Sequence, residues 1–119
     1  MHTYIWRGKY SLDAFAGMLS SPVHRMEAAK KLIEDNGADF IDAFYSVSTN
    51  EAVVILRAEP EQLTQIEMIA MASRSFTDMS TETLVSLDQM YAAMQAGQKI
   101  QAGYQGAAMD EIDRMLLEE

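Results

Sequence analysis

Residues 39–58, Asp39-Phe-Ile-Asp-Ala-Phe-Tyr-Ser-Val-Ser-Thr-Asn-Glu-Ala-Val-Val-Ile-Leu-Arg-Ala58, read as two strands folded back on each other, roughly 39–48 and 51–58. Only Ser48-Thr49-Asn50-Glu51 separates them, and Asn50 tolerates the positive φ that a tight turn demands. Side chains alternate along a strand, so Phe40, Asp42, Phe44 and Ser46 are expected opposite Ile41, Ala43, Tyr45 and Val47. Ala52-Val53-Val54-Ile55-Leu56 is apolar on both faces, the pattern of a central strand buried on both sides.

On the N-terminal side of this hairpin, residues 3–10 (Thr-Tyr-Ile-Trp-Arg-Gly-Lys-Tyr) alternate and are rich in aromatic and β-branched types, which suits a strand. Tyr4, Trp6 and Tyr10 share one face with Gly8, which leaves room there for a ligand, a bulge or a neighbouring side chain. Ser11 reads as the N-cap of a short helix carrying Leu12, Phe15, Met18 and Leu19. Ser21-Pro22 reads as a fresh helix start. Met26, Ala29, Leu32 and Ile33 form its inner stripe, and Arg25, Glu27, Lys30, Lys31 and Glu34 face water. Asn36-Gly37 stops it.

On the other side, Glu59-Pro60 opens a helix whose inner face carries Leu63, Ile66, Ile69, Ala70 and Ser73. A last strand is expected at about 80–87, with Thr83, Val85 and Leu87 opposing Glu82 and Leu84. The order over residues 3–88 is therefore βαββαβ, which specifies an α+β, ferredoxin-like fold: a four-stranded antiparallel sheet with helices on one face. The open face carries either the Tyr4/Trp6/Tyr10 set or its alternate. An apolar sheet face of that size needs a cover, and a second copy of the chain supplies one, closing a dimeric α/β-barrel.

Residues 1–88 are thus one domain, and 89–119 a C-terminal helical extension expected to pack on that domain or on a partner subunit. Leu87, Met90 and Met94 make one helical stripe, Gly97, Gly103 and Gly106 interrupt the chain, and Met109, Ile112, Met115 and Leu116 make another. A helix that short is unstable alone.

The chain has 119 residues, no cysteine, and 18 acidic against 9 basic residues for a net charge of −9. The basic residues are scattered, which argues against nucleic acid and against anionic membrane surfaces. No apolar run is long enough to span a bilayer. Without thiolates, and with only His2 and His24 as imidazoles, no metal site is expected. A cytoplasmic setting fits the cysteine-free composition. The ten methionines read as soft core or interface filling. There is no phosphate loop, nucleophile elbow or dinucleotide fingerprint, so no cofactor is expected.

The run Ser21-Pro-Val-His-Arg-Met-Glu-Ala-Ala-Lys-Lys-Leu-Ile-Glu-Asp-Asn-Gly37 resembles the long helix of the GYD-domain family. Ala43-Phe-Tyr45, Val53-Val-Ile55, Glu59-Pro-Glu61, Thr81-Glu-Thr-Leu84 and, in the tail, Met94 and Ala102-Gly-Tyr104 are similar to other parts of it. The resemblance spans about residues 3–105 and implies a dimeric α/β-barrel in a family whose biochemical role is largely undefined. The family's Gly-x-Tyr-Asp-like hairpin signature is replaced here by Ser48-Thr49-Asn50-Glu51. Glu51 keeps the carboxylate, whereas the tyrosine hydroxyl is gone, so a role that needs that tyrosine does not carry over.

Tyr4, Trp6, Tyr45 and Glu51 are the candidate ligand-binding residues, placed in an aromatic pocket inside the barrel. Arg7, a charge in mid-strand, either neutralises a ligand carboxylate or pairs with Asp42 or Glu51. His24 near a helix start and Asp42 between two phenylalanines are, with Arg7, the candidates for proton transfer. The leading expectation is a homo-oligomeric barrel protein, leaning non-enzymatic, that binds a small hydrophobic ligand. An alternative is a cofactor-free monooxygenase- or isomerase-like enzyme on an aromatic or quinone substrate, with Trp6 and Tyr45 holding the ring. A third reading makes the tail helix a docking element for a partner.

Overall fold

The computed structural model describes residues 1–108 and Leu116. Its elements run β1 (His2–Tyr10), α1 (Leu12–Ser20), α2 (Arg25–Asp35), β2 (Asp39–Ser46), β3 (Glu51–Ala58), α3 (Pro60–Ala72), β4 (Phe76–Leu84) and α4 (Leu87–Ile100). The four strands form one antiparallel sheet in the order β2-β3-β1-β4. This is the α+β, ferredoxin-like arrangement that the element order specifies. Residues Met1–Leu84 form one compact unit and Val85–Glu119 a second.

Local chemistry explains most element ends. Ser11 caps α1, its Oγ accepting from the Ala14 amide at 3.1 Å. Gly37, at φ +81°, ends α2: its amide donates to Glu34 O and the Ala38 amide to Ile33 O, the paired bonds of a Schellman stop. Asn50 takes φ +59° in the hairpin, and its side-chain oxygen accepts from the Tyr45 hydroxyl at 2.9 Å. Pro60 opens α3, and the Gln62 side chain reaches back to the Glu59 amide at 2.9 Å.

Three local expectations are corrected. Ser21-Pro22 does not start α2: the Ser21 amide is spent closing α1 on Gly17 O, and His24 becomes the extended N-cap of a helix beginning at Arg25. The last strand occupies 76–84 rather than 80–87. It enters early from Arg74, at φ +60°, and stops because Ser86 caps α4 and draws Leu87 into that helix. The alternation of β2 breaks at a bulge between Phe40 and Asp42. Phe40 therefore shares a face with Ala43 and Tyr45, while Asp42, Phe44 and Ser46 lie on the other.

The register also decides which sheet face is covered. Tyr4 and Trp6 of β1 lie opposite Leu56 and Val54 of β3, and all four are buried with Ile33 of α2 and with Ile66 and Ala70 of α3. The aromatic face is thus the helix-covered one. The open face carries Ile5, Arg7 and Lys9 on β1, Val53, Ile55 and Arg57 on β3, Asp42 and Phe44 on β2, and Glu82 and Leu84 on β4. Its apolar centre is only half-buried at Ile5, Val53 and Ile55.

In the second unit, Ser86 Oγ accepts from the Gln89 amide and Gln89 Oε1 from the Ser86 amide, a reciprocal cap on α4. Leu87, Met90 and Met94 fall on this helix, which passes through Gly97 without breaking and ends in a short 3-10 turn, Gln101–Gly103. Met109, Ile112 and Met115, expected to form a last stripe, lie outside the described residues.

Candidate functional site

The cleft that matters chemically exists because the inward positions of the helices are small. Ala29 of α2 and Ala70 of α3 line it where larger residues would fill the gap, with the exposed Ala28 and Ser73, the C-cap of α3, at its rim. Beneath them, Ala52 of β3 is equally short. A cleft of about 320 Å3 results, walled by Leu32, Ile33, Leu63, Ile66 and Ile69 and floored by Trp6, Tyr10, Val54 and Phe76. That volume lies within the range of small-molecule sites and is roughly twice the ~150 Å3 apolar cavity that admits a benzene ring. A second cleft, under α1, shares Tyr10, Arg25, Ala29, Ala52 and Val54 with the first and adds Phe15, Met18 and Tyr45.

An aromatic set orders the floor. Phe76 meets Trp6 edge-on at 5.0 Å between ring centroids and lies nearly parallel to Tyr10 at 5.1 Å. Tyr10 in turn approaches Phe15 at 5.5 Å and Tyr45 at 6.5 Å. Gly8 makes the arrangement feasible, because the six-membered ring of Trp6 lies over it; a methyl group there would overlap Trp6 Cη2. Of the three roles open to this glycine, it makes room for a neighbouring side chain.

Trp6 is 7% exposed, and its Nε1–H is buried without a hydrogen-bond acceptor, the one such side-chain atom among the described residues. An unsatisfied buried donor costs about 1–3 kcal/mol.

The sequence-derived site residues do not converge. Trp6 lines the first cleft and Tyr45 the second. Tyr4 is core, 6% exposed, and lines neither. Glu51 begins β3 on the open face, opposite Lys9 and Ser46. Arg7 is also on the open face, and its partner is Glu82 on the adjacent β4, not Asp42 or Glu51. Asp42 bonds locally, its Oδ1 accepting from the Ala43 amide at 2.8 Å. His24, exposed at the start of α2, lines neither cleft and makes no side-chain cap. The groups expected to move protons are therefore separated from the aromatic rings expected to hold a substrate.

Sequence reasoning missed Tyr10 and Phe76 as site residues and assigned Arg25 to water alone. Arg25 is exposed yet lines both clefts. The missed signal was the pair of small inward residues, Ala29 and Ala70, lining a cleft whose floor is aromatic. Among the described residues no cluster of three metal-ligating side chains occurs, and no helix is long and apolar enough to cross a membrane. Comparison with models of protein families and with curated proteins finds no match.

Proposed function

We propose that this chain binds a small hydrophobic molecule in the cleft between the sheet and helices α2 and α3. One observation carries the reading: an apolar cleft of about 320 Å3 whose floor is a tryptophan with a buried, unpartnered N–H. An apolar ligand gains there by burying area against the aliphatic walls and the tryptophan floor.

The same reading makes the protein a homodimer closing an α/β-barrel through its open faces. Its support is the half-buried stripe of Ile5, Val53 and Ile55 across the two central strands, with Phe44 beside it at 57% exposure. Charges of both signs flank the stripe, Arg57 opposite Asp39 and Arg7 beside Glu82, so the face is complementary to a second copy of itself. Kinship with the GYD-domain family and a cytoplasmic setting belong to this proposal too. The first is supported by the βαββαβ order and the second by the cysteine-free composition. The enzymatic alternative gains no such support, because Arg7, His24 and Asp42 line neither cleft.

Trp6 is the only tryptophan, so its emission reports occupancy directly. Titration with 1-octanol is expected to shift that emission saturably at one equivalent per chain. Ala29→Leu, which fills the gap under α2, is expected to abolish the response while circular dichroism stays native. A linear, unsaturable response in the parent protein, or full binding by the Ala29→Leu variant, would refute the proposal.

A further inference from the structure

We infer that the cleft's ligand is an anionic amphiphile, with a carboxylate held by Arg25 at the start of α2 and an apolar body extending over Trp6. The inference rests on the cleft being a ligand site, as proposed above, and adds the chemical class of what enters it.

The chain is strongly acidic, with 18 carboxylate side chains against 9 basic ones. Yet among the residues lining the two clefts there is no Asp or Glu, and the single charged side chain is Arg25. Carboxylates are abundant everywhere else on this surface, and Arg25 sits where both cavities meet. The ion pairs among the described residues join Met1 to Glu59, Arg7 to Glu82 and Lys31 to Asp35, and none employs Arg25.

One further feature favours an anion at that point. Arg25 is the first residue of α2, whose N-cap, His24, makes no side-chain hydrogen bond to the first-turn amides. Those amides and the positive end of the helix dipole reinforce the guanidinium. The cleft thus offers a cation but no carboxylate, inside walls that are otherwise mostly aliphatic and aromatic. A planar guanidinium holds a carboxylate through two parallel hydrogen bonds, a geometry that a lone alcohol cannot use. Scaling from the cavity that admits benzene, the apolar body has roughly a dozen carbon atoms or fewer.

The net charge of −9 opposes the approach of any anion at long range. At physiological ionic strength that field is screened beyond about 8 Å, so local chemistry at Arg25 decides the outcome. A preference for the acid over the matched alcohol is therefore a statement about this side chain.

The test uses the full chain, Trp6 emission, and two probes of the same length, octanoate and 1-octanol. The parent protein is expected to bind octanoate at least about tenfold more tightly than 1-octanol. Arg25→Gln is expected to erase the preference, bringing octanoate affinity down to that of 1-octanol in the same variant. Arg57→Gln, which removes the same charge from the open face, is expected to keep it. Equal affinity of the parent protein for the two probes, or a preference that survives Arg25→Gln, overturns the inference while leaving the hydrophobic site standing. If neither probe binds, the cleft is not a ligand site and both readings fall together.

Discussion

Replacing Gly8 by alanine probes the contact on which the floor of the cleft depends. A Cβ at this position would overlap Trp6 Cη2 and lie 2.8 Å from both Trp6 Cζ2 and Phe76 Cδ1, well inside carbon–carbon contact distance. The indole has little freedom to yield, since it is 93% buried, with Phe76 edge-on against it and Ile33 and Ile66 in the same core. Overpacking of this kind costs about 1–3 kcal/mol, from which the ~0.5–1 kcal/mol advantage of alanine over glycine within a strand is subtracted. Because the indole cannot move aside, the upper part of the overpacking range applies, and the net loss is about 1–2 kcal/mol. For a unit of 84 residues that lowers the thermal midpoint by roughly 4–16 °C. Far-ultraviolet circular dichroism reads the midpoint, and the near-ultraviolet band of the sole tryptophan reports its displacement. In a Trp6→Phe background the overlapping ring atoms are gone, so most of the Gly8→Ala penalty is expected to vanish, a coupling that a double-mutant cycle measures. A Gly8→Ala protein that melts at or above the parent with an unchanged near-ultraviolet spectrum would refute the packing argument.

Ser86→Ala removes one half of the reciprocal cap on α4 and is expected to cost about 1 kcal/mol, read as roughly fivefold faster hydrogen exchange of the first-turn amides. Lys31 donates to Asp35 at 2.7 Å, and this hydrogen bond, followed by their Coulomb attraction, raises the lysine pKa above its ordinary 10.5. A raised folded-state value means that the pair's small contribution is complete below the unfolded pKa and disappears as pH climbs through the folded one. The midpoint difference between the parent and Lys31→Gln should accordingly be constant near neutrality and close as pH rises beyond the lysine's ordinary 10.5, as thermal melts across the alkaline range would show. Ile55→Glu on the open face should convert a dimer to a monomer in sedimentation, because a paired face would have to bury an isolated carboxylate. Dimers persisting in that variant would place the interface elsewhere.

Much of the fold was legible because short-range chemistry marks its corners. Asn36-Gly37, Asn50 and Glu59-Pro60 each name a backbone geometry that few other residues tolerate, and each sits where expected. The bulge in β2 carried no such mark. Phe-Ile-Asp-Ala-Phe alternates smoothly on paper, and only the pairing of Phe40 with Leu56 and of Asp42 with Ile55 shows that Ile41 is extra. The early entry of β4 is likewise a consequence of pairing: Phe76 is opposite Tyr10, a contact 66 positions distant in the chain that no local window contains. The choice of covered face was readable in principle. On β1 and β3 the covered set is Tyr4, Trp6, Ala52, Val54, Leu56 and Ala58, without a charge. The alternate set includes Arg7, Lys9, Glu51 and Arg57. A helix laid over the second set would have had to desolvate four ions. Arg25 escaped because helical periodicity places it on the polar flank, and periodicity cannot show that a cleft opens beside that flank.

The division of the sheet into a covered aromatic face and an open mixed face changes how assembly and binding relate. Read from sequence, the ligand chamber and the dimer stood or fell together, since the aromatic pocket was expected inside the barrel. In the structure Trp6 and the cleft lie beneath α2 and α3 within one subunit, while Ile5, Val53 and Ile55 point to the other side of the same strands. No residue lining the first cleft belongs to the open face. Binding and dimerisation, both as proposed above, would draw on different side chains of the same two central strands. The link between them is mechanical: Trp6 and Val54, paired across the sheet, are flanked in sequence by Ile5 and Val53 on the opposite face. A ligand that rigidifies the floor of the cleft also rigidifies the backbone that presents the open face, so occupancy is expected to tighten self-association by lowering its ordering cost. Because coupling of this kind is reciprocal, a monomeric Ile55→Glu variant should still bind octanol, but more weakly than the dimer. Equal affinity in the two states would mean that the central strands are already rigid and transmit nothing between their faces.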